Sequence, residues 1–431
     1  MPRLRWSDPE PDDPSTPLDW RVPAAILTTI FLNVCFWLWQ SYNLWGAGGP
    51  PGNPILLLGV ALLVTALFFA APALAAERDH RPVFAVVESS LGRLPAFLLR
   101  LCCLVFLNCW LATFFLRPVS SMFYGDVSPG GFRLLATALL AFTFFTAMQT
   151  PASMAKLAAF TNKLGIAILI AALIRVRDGW PAIWDGFSWF DASSRLASQW
   201  RGIGILSVYL APVFFLAANF GRRTAGPKPI IKLALFGLTL PLFATLLVVA
   251  SIDVATLASS SYQPSLVPSV FMALTAHVSR RALPAINMLV TLTIFGAMRF
   301  TAAALVQCSL PEKAGIRTRY MVLIPFIAVI VWLSAQNDDR LYVLVESSAA
   351  ALAVASAILT VDYLTAKWRV ARQCRLIDWG GACALLVGST AAAWLPTWIV
   401  GAAANGAWSP RILPSYAVGF LVCLAARALR F

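Results

Sequence analysis

Apolar runs long enough to cross a bilayer recur along this chain from residue 24 almost to its end, and that recurrence constrains the fold more than any other feature. A spanning helix needs roughly 20 mostly apolar residues. By that measure runs fall near 24–45, 54–76, 94–116, 132–150, 157–174, 202–220, 230–252, 284–306, 320–335, 341–363, 379–400 and 411–428. Twelve such runs leave no room for a soluble catalytic domain of about 50 residues or more. Composition agrees, since 59% of the 431 residues are hydrophobic and 12% charged, against about 25% charged in a soluble domain. The expectation is an all-α polytopic membrane protein of about twelve transmembrane helices. The apolar stretch from Pro264 to Val278 is too short to span and runs into Ser279-Arg280-Arg281; it is expected to be a helical loop outside the bundle.

Residues 1–22 are acidic and proline-rich and lack the apolar core of a signal peptide, so they are expected to be a disordered tail, with residues 23–428 forming one transmembrane domain. The chain carries 33 Lys+Arg against 19 Asp+Glu, a net charge of +14. With twelve spans both termini share a side, and the loops on that side hold twenty-one basic residues against ten on the other. Basic loops stay in the cytoplasm. Both termini are therefore expected inside a multi-pass inner-membrane protein, with anionic lipid rather than nucleic acid as the partner of the positive charge.

The eight cysteines lie in apolar runs or beside basic loops, and His80 and His277 lie in separate loops without CxxC or HExxH spacing. No metal site and no resident cofactor is expected. Paired histidines, a GxSxG turn and a carboxylate dyad are all missing, so the chain is not expected to be an enzyme. After span five, Trp180, Ile183, Trp184 and Phe187 recur at helical spacing, as in a short helix lying in the interface. It either anchors the loop or gates an external vestibule.

Polar groups at membrane depth are costly, so they point to function. Span one carries Asn33, Gln40 and Asn43; span three Arg100 and Asn108; span six Pro212 and Asn219; span eight Asn287 and Arg299; span ten Glu346 and Asp362. Arg100 reads either as a snorkelling residue or as a buried ligand, Asp362 as interfacial, and Glu346 as solvated or as a proton carrier. Arg299 lies deeper, fifteen residues in from Pro284, and reads either as snorkelling or as a substrate ligand or fixed counter-charge inside the bundle. Pro212 frees backbone groups mid-helix, through a simple kink or through a break that lines a cavity. Dividing the first ten spans as five plus five pairs span one with six and three with eight, the polar ones. Inverted-repeat transporters have this arrangement, with the site between the repeats. The repeats would cover about 23–178 and 200–366, with extra helices at 379–428.

Three stretches carry a resemblance. ERDHRPVFAVVESSLGRLPAFLLR from Glu77, AANFGRRTAGPKP from Ala217 and CSLPEKAGIRTR from Cys308 resemble, in that order, the loop before span three, the exit from span six and the loop after span eight of the nucleobase/cation symporters, the purine and cytosine permeases. The resemblance implies the leucine-transporter fold, a 5+5 inverted repeat plus two C-terminal helices, and sodium- or proton-coupled uptake of a nucleobase or related ring. Counted from those motifs, the family's third-span stacking tryptophan falls at Leu107, with Trp110 one turn on, and its sixth-span aromatic at Tyr209 or Leu210. Its eighth-span amide falls at Met298 or Arg299 and the hydroxyl of its sodium site at Thr293. The expected function is a secondary active transporter of a small polar or aromatic solute. Asn33, Gln40, Asn108, Trp110, Tyr209, Met298 and Arg299 would bind the solute, and Thr293, Arg299 and Glu346 would serve ion coupling with Na+ or H+. The alternative is a non-transporting sensor or scaffold on a degenerate transporter core. Oligomeric state is not legible in the sequence.

Overall fold

In a computed structural model of the protein the described residues are 19–32, 54–116, 119, 129–147, 151–186, 206–259, 283–309, 316–335, 340–365, 376–394 and 412–429. Asn33, Gln40, Asn43, the N-terminal tail and the loop at 264–278 lie outside them.

The described residues are helical, without a strand. Helix α1 is Arg21–Phe31. Helix α2 begins as Pro54–Thr65, widens into a π-turn at Ala66–Ala70 and ends as Ala71–Asp79. Then come α3 (Val83–Leu91), α4 (Arg93–Leu111, continued by a π-turn Ala112–Leu116), α5 (Pro129–Ala147), α6 (Pro151–Arg175) and the short α7 (Trp180–Gly186). The second half holds α8 (Val213–Gly221), α9 (Pro227–Lys232, a π-turn Leu233–Thr239, then Leu240–Ser259), α10 (Leu283–Ser309), α11 (Ile316–Ala335) and α12 (Arg340–Leu364). Helices α13 (Trp379–Trp394) and α14 (Ile412–Ala428) close the chain. A helix stands at each expected span, and seven among the described residues have the length and hydropathy to cross a membrane; these lengths do not establish a count of twelve.

Lipid contact explains why apolar residues cover both sides of these helices. On α4, Leu94, Phe97, Leu98, Leu101 and Val105 are exposed at helical spacing, while Leu99, Cys103, Phe106 and Trp110 on the opposite side are buried. A helix half in lipid has no polar face to give up, so sequence periodicity fades.

The packing is that of two interlocked, inverted halves. Helix α1 packs on α9 as α8 packs on α2, and α4 packs on α12 as α10 packs on α6. The backbone repeats as well, since α2 and α9 are equivalent in a five-plus-five division and both contain a π-turn. The two touch through the hydroxyls of Thr65 and Thr239, 3.1 Å apart. A π-turn loosens the regular backbone ladder; Ser356 of α12 donates to the carbonyl of Leu67 in the first of them.

The last two helices are tied on by charge. Arg427 of α14, buried, donates to Asp362 of α12 at 3.0 Å, to Asp378 before α13 at 2.8 Å and to the carbonyl of Ser90 at 3.1 Å. Asp362 is therefore not an interfacial, solvated group, because it is 2% exposed and ion-paired. Gly92, in the turn between α3 and α4, sits against this network with φ of 87°; a Cβ there would lie 2.6 Å from the Asp378 nitrogen. Only glycine meets both conditions.

Candidate functional site

Two helices stop inside the bundle. Helix α1 ends after 11 residues, where Leu32 leaves helical geometry with φ −77° and ψ 16°. The helical turn at 206–210 is interrupted at Ala211–Pro212 before α8 resumes. Proline has no N–H to continue the ladder, and the backbone tightens there, Phe214 N donating to Ala211 O at 3.1 Å and Phe215 N to Pro212 O at 3.2 Å. Tyr209, two residues before the break, donates its hydroxyl to the carbonyl of Ile30 in the last turn of α1, 3.3 Å away. The hydroxyl thus reaches one of the carbonyls a helix end leaves without a partner.

An aromatic cluster fills the space beside this link. The ring of Trp110 lies 5.3 Å from that of Tyr209 and 5.5 Å from that of Phe114, and Phe114 meets Tyr209 edge-on at 5.8 Å. All three are buried. The indole Nε1 of Trp110 and the hydroxyls of Thr113 and Ser207 are buried without a hydrogen-bond partner. Stacking rings with the unsatisfied Trp110 Nε1 among them suit a small flat solute that brings its own hydrogen-bond acceptor.

Of the other expected solute ligands, Asn108 is two residues from Trp110 and so faces the other side of α4. Its Nδ2 donates to its own helix at Leu104 O, 2.7 Å. Met298 is fully buried in α10. Arg100 does not reach the cluster, because its Nε donates at 2.5 Å to Cys308 O at the end of α10 and its guanidinium lies over Phe84. That bond fixes the antiparallel register of α4 and α10. Nine residues along each helix, about 13 Å, bring Arg299 level with Cys109, between Asn108 and Trp110. Nine residues are also two and a half turns, so Arg299 points away from α4. Trp110 and Arg299 share a depth but not a face.

Arg299 belongs to a second cluster. One turn earlier on α10, Gly296 lets three helices meet: a Cβ there would lie 2.4 Å from Thr29 Cγ2 of α1 and 2.8 Å from Thr161 Oγ1 of α6. Helical side chains lean toward the N-terminus, and Arg299 does so, its Nε donating to Gly296 O at 3.2 Å. It is 1% exposed, its Nη1 and Nη2 have no hydrogen-bond partner, and its guanidinium lies over the Phe300 ring, 5.2 Å from the centroid. Snorkelling is thereby excluded. Glu346 is also buried, in the first third of α12.

Sequence reasoning passed over Phe114, Thr29, Thr161, Asn162 and Gly296. Small and hydroxylated residues are common in membrane helices, and only the meeting of three helices distinguishes these.

A sodium ion at this junction would meet the buried guanidinium of Arg299. The hydroxyls here donate within their own helices, Thr293 Oγ1 to Val290 O at 2.7 Å, Thr29 Oγ1 to Ala25 O at 2.9 Å and Thr161 Oγ1 to Leu157 O at 3.0 Å, so what opposes a cation is the charge of Arg299. Ala25 O also accepts from Asn162 Nδ2 at 2.9 Å, and Gly296 O accepts from Arg299 Nε. A second positive charge about 5 Å from the guanidinium would be repelled by about 3 kcal/mol at an effective dielectric of about 20.

No protein-family profile matches the sequence, and no curated protein sequence matches it. The structure is similar to that of Mhp1, a nucleobase-cation-symport-1 family transporter, in a closed conformation with bromovinylhydantoin bound. Identity is 12%, the match covers 96% of this chain and 93% of that one, and the TM-score is 0.67. It is also similar to a substrate-bound, outward-open Na+-coupled sialic acid symporter, at 11% identity over 95% of this chain and 89% of that one with a TM-score of 0.60. Mhp1 in an inward-facing conformation matches at 12% identity over 97% and 94% of the two chains, TM-score 0.57. At such identities the likeness is one of fold. The fold is the one the sequence resemblance implied, that of the inverted-repeat symporters.

Proposed function

We propose that the protein is a secondary active transporter that binds a small planar solute between the breaks of α1 and α8 and moves it across the cytoplasmic membrane by alternating access. The observation that carries this reading is the Trp110–Tyr209 ring pair, 5.3 Å apart, held at the α8 break and tied to the end of α1. Rocking of one bundle against the other opens and closes the space beside these rings. Mhp1 has bromovinylhydantoin bound and the sialic acid symporter carries sialic acid; a nucleobase, hydantoin or related ring is the solute class that best suits the aromatic cluster here. Asn33 and Gln40, on the continuation of span one, are assigned to hydrogen bonds with it. Both termini face the cytoplasm, anionic lipid lies against the basic side, and Glu346 is the carboxylate assigned to proton coupling.

The test is a thermal-shift panel of nucleobases, hydantoins, vitamins and amino acids on the purified protein. Stabilisation by a ring compound, lost in Trp110→Ala and Tyr209→Ala, supports the site; stabilisation that persists in both removes the stacking role. A non-transporting sensor would bind the same ligand without carrying it into liposomes.

A further inference from the structure

We infer that Arg299 is the fixed positive charge of the α1–α6–α10 junction and that the protein binds no sodium ion there, a reading that rests on the transporter function proposed above. Helix α1 ends in the bundle rather than in water. The C-terminal end of a helix carries a partial negative charge and carbonyls without helical partners, and it is stabilised by a nearby cation. Here the chain provides its own cation in Arg299. Gly296 brings α10 against Thr29, and Arg299 folds back to the same level.

The chemistry of the junction is donor-rich. Arg299 Nη1 and Nη2 are buried donors without a hydrogen-bond acceptor, its guanidinium lies over the Phe300 ring, and among the described residues Arg299 has no carboxylate partner. Its Nε donates to Gly296 O, and Asn162 on α6 donates its Nδ2 to Ala25 O of α1. A metal cation finds repulsion there. An arginine stays protonated in a protein and cannot leave. Its charge therefore persists through the whole cycle, and the sodium gradient does no work at this position.

The full chain is purified and its thermal unfolding followed in sodium chloride, choline chloride and choline gluconate, for the wild type, Arg299→Gln and Arg299→Lys. In parallel, uptake of the ring compound found in the panel is measured in proteoliposomes with sodium or choline on both sides. The inference expects the same wild-type unfolding temperature in all three salts and the same uptake with sodium or choline. Arg299→Lys keeps sodium-independent uptake, whereas Arg299→Gln loses it by about tenfold or more. Sodium-specific stabilisation of the wild type, or uptake that collapses in choline, overturns the inference. Stabilisation by chloride over gluconate that disappears in Arg299→Gln overturns it too, because an anion would then be meeting the charge. Absence of uptake in every salt would refute the transporter reading, while the unfolding temperatures still decide the sodium question.

Discussion

The hydroxyl of Tyr209 donates to the carbonyl of Ile30 across 3.3 Å, so the residue just before the break in α8 holds the last turn of α1. One side chain thus joins the two interrupted helices and supplies a ring to the cluster with Trp110. Tyr209→Phe separates these roles. It should leave ring stacking intact and lower stability by about 1 kcal/mol, the usual worth of one hydrogen bond. Tyr209→Ala and Trp110→Ala should each weaken binding of a planar solute by about 1 to 3 kcal/mol. Calorimetric titration with the panel's ring compound distinguishes the three variants; equal affinity in all of them would remove the cluster from the site.

Gly296 should tolerate no side chain. A Cβ 2.4 Å from Thr29 Cγ2 and 2.8 Å from Thr161 Oγ1 forces α10 away from α1 and α6. Gly296→Ala is expected to lower stability by about 1 to 3 kcal/mol, the range for overpacking, as read by thermal unfolding in detergent. Adding Thr29→Ser removes the nearer methyl and should return part of the loss.

Arg427 should hold the last two helices in place. It is paired with Asp362 and Asp378 at low exposure on both sides, and removing one partner of a buried pair leaves a charge uncompensated, at about 3 to 5 kcal/mol. Arg427→Met is expected to be destabilised by that amount and to expose the segment before α13 to limited proteolysis. Asp362→Asn, which leaves Arg427 one carboxylate, should be milder.

The fold was legible in the sequence to the extent that its signals were local or additive. Apolar runs marked a helix at every expected span, and Pro212 marked the break in α8 because proline acts on its own backbone. Counting along helices from loop motifs fell at Leu107, with Trp110 one turn on, and at Tyr209 or Leu210, and the structure brings the rings of Trp110 and Tyr209 within 5.3 Å of each other. Contacts between helices were not legible. Asp362 read as interfacial because its partners, Arg427 and Asp378, are distant in sequence. The π-turns in α2 and α9 have no sequence signal of their own, and the inverted symmetry lives in the backbone rather than in matching residues. Trp110 and Arg299 look like near neighbours when helices are counted by depth, but rotation about α10 sends them to different junctions.

The orientation proposed from the loop charges is open to labelling. Single cysteines placed at Arg78, Arg222 and Lys313 in a background lacking the eight native cysteines should be shielded in intact cells from an impermeant external reagent. Cysteines at Arg133 or Arg177 should react. Labelling of Lys313→Cys from outside would reverse the assigned topology.

The central claim is that this chain carries a planar solute through a site bounded by Trp110 and Tyr209, and uptake into sealed proteoliposomes tests it most directly. The radiolabelled ring compound that stabilises the protein should accumulate with time, saturate, and be competed by the unlabelled compound, with uptake reduced in Trp110→Ala and in Tyr209→Ala. Uptake by the wild type no greater than that of protein-free liposomes, for a compound that demonstrably binds, would contradict the account.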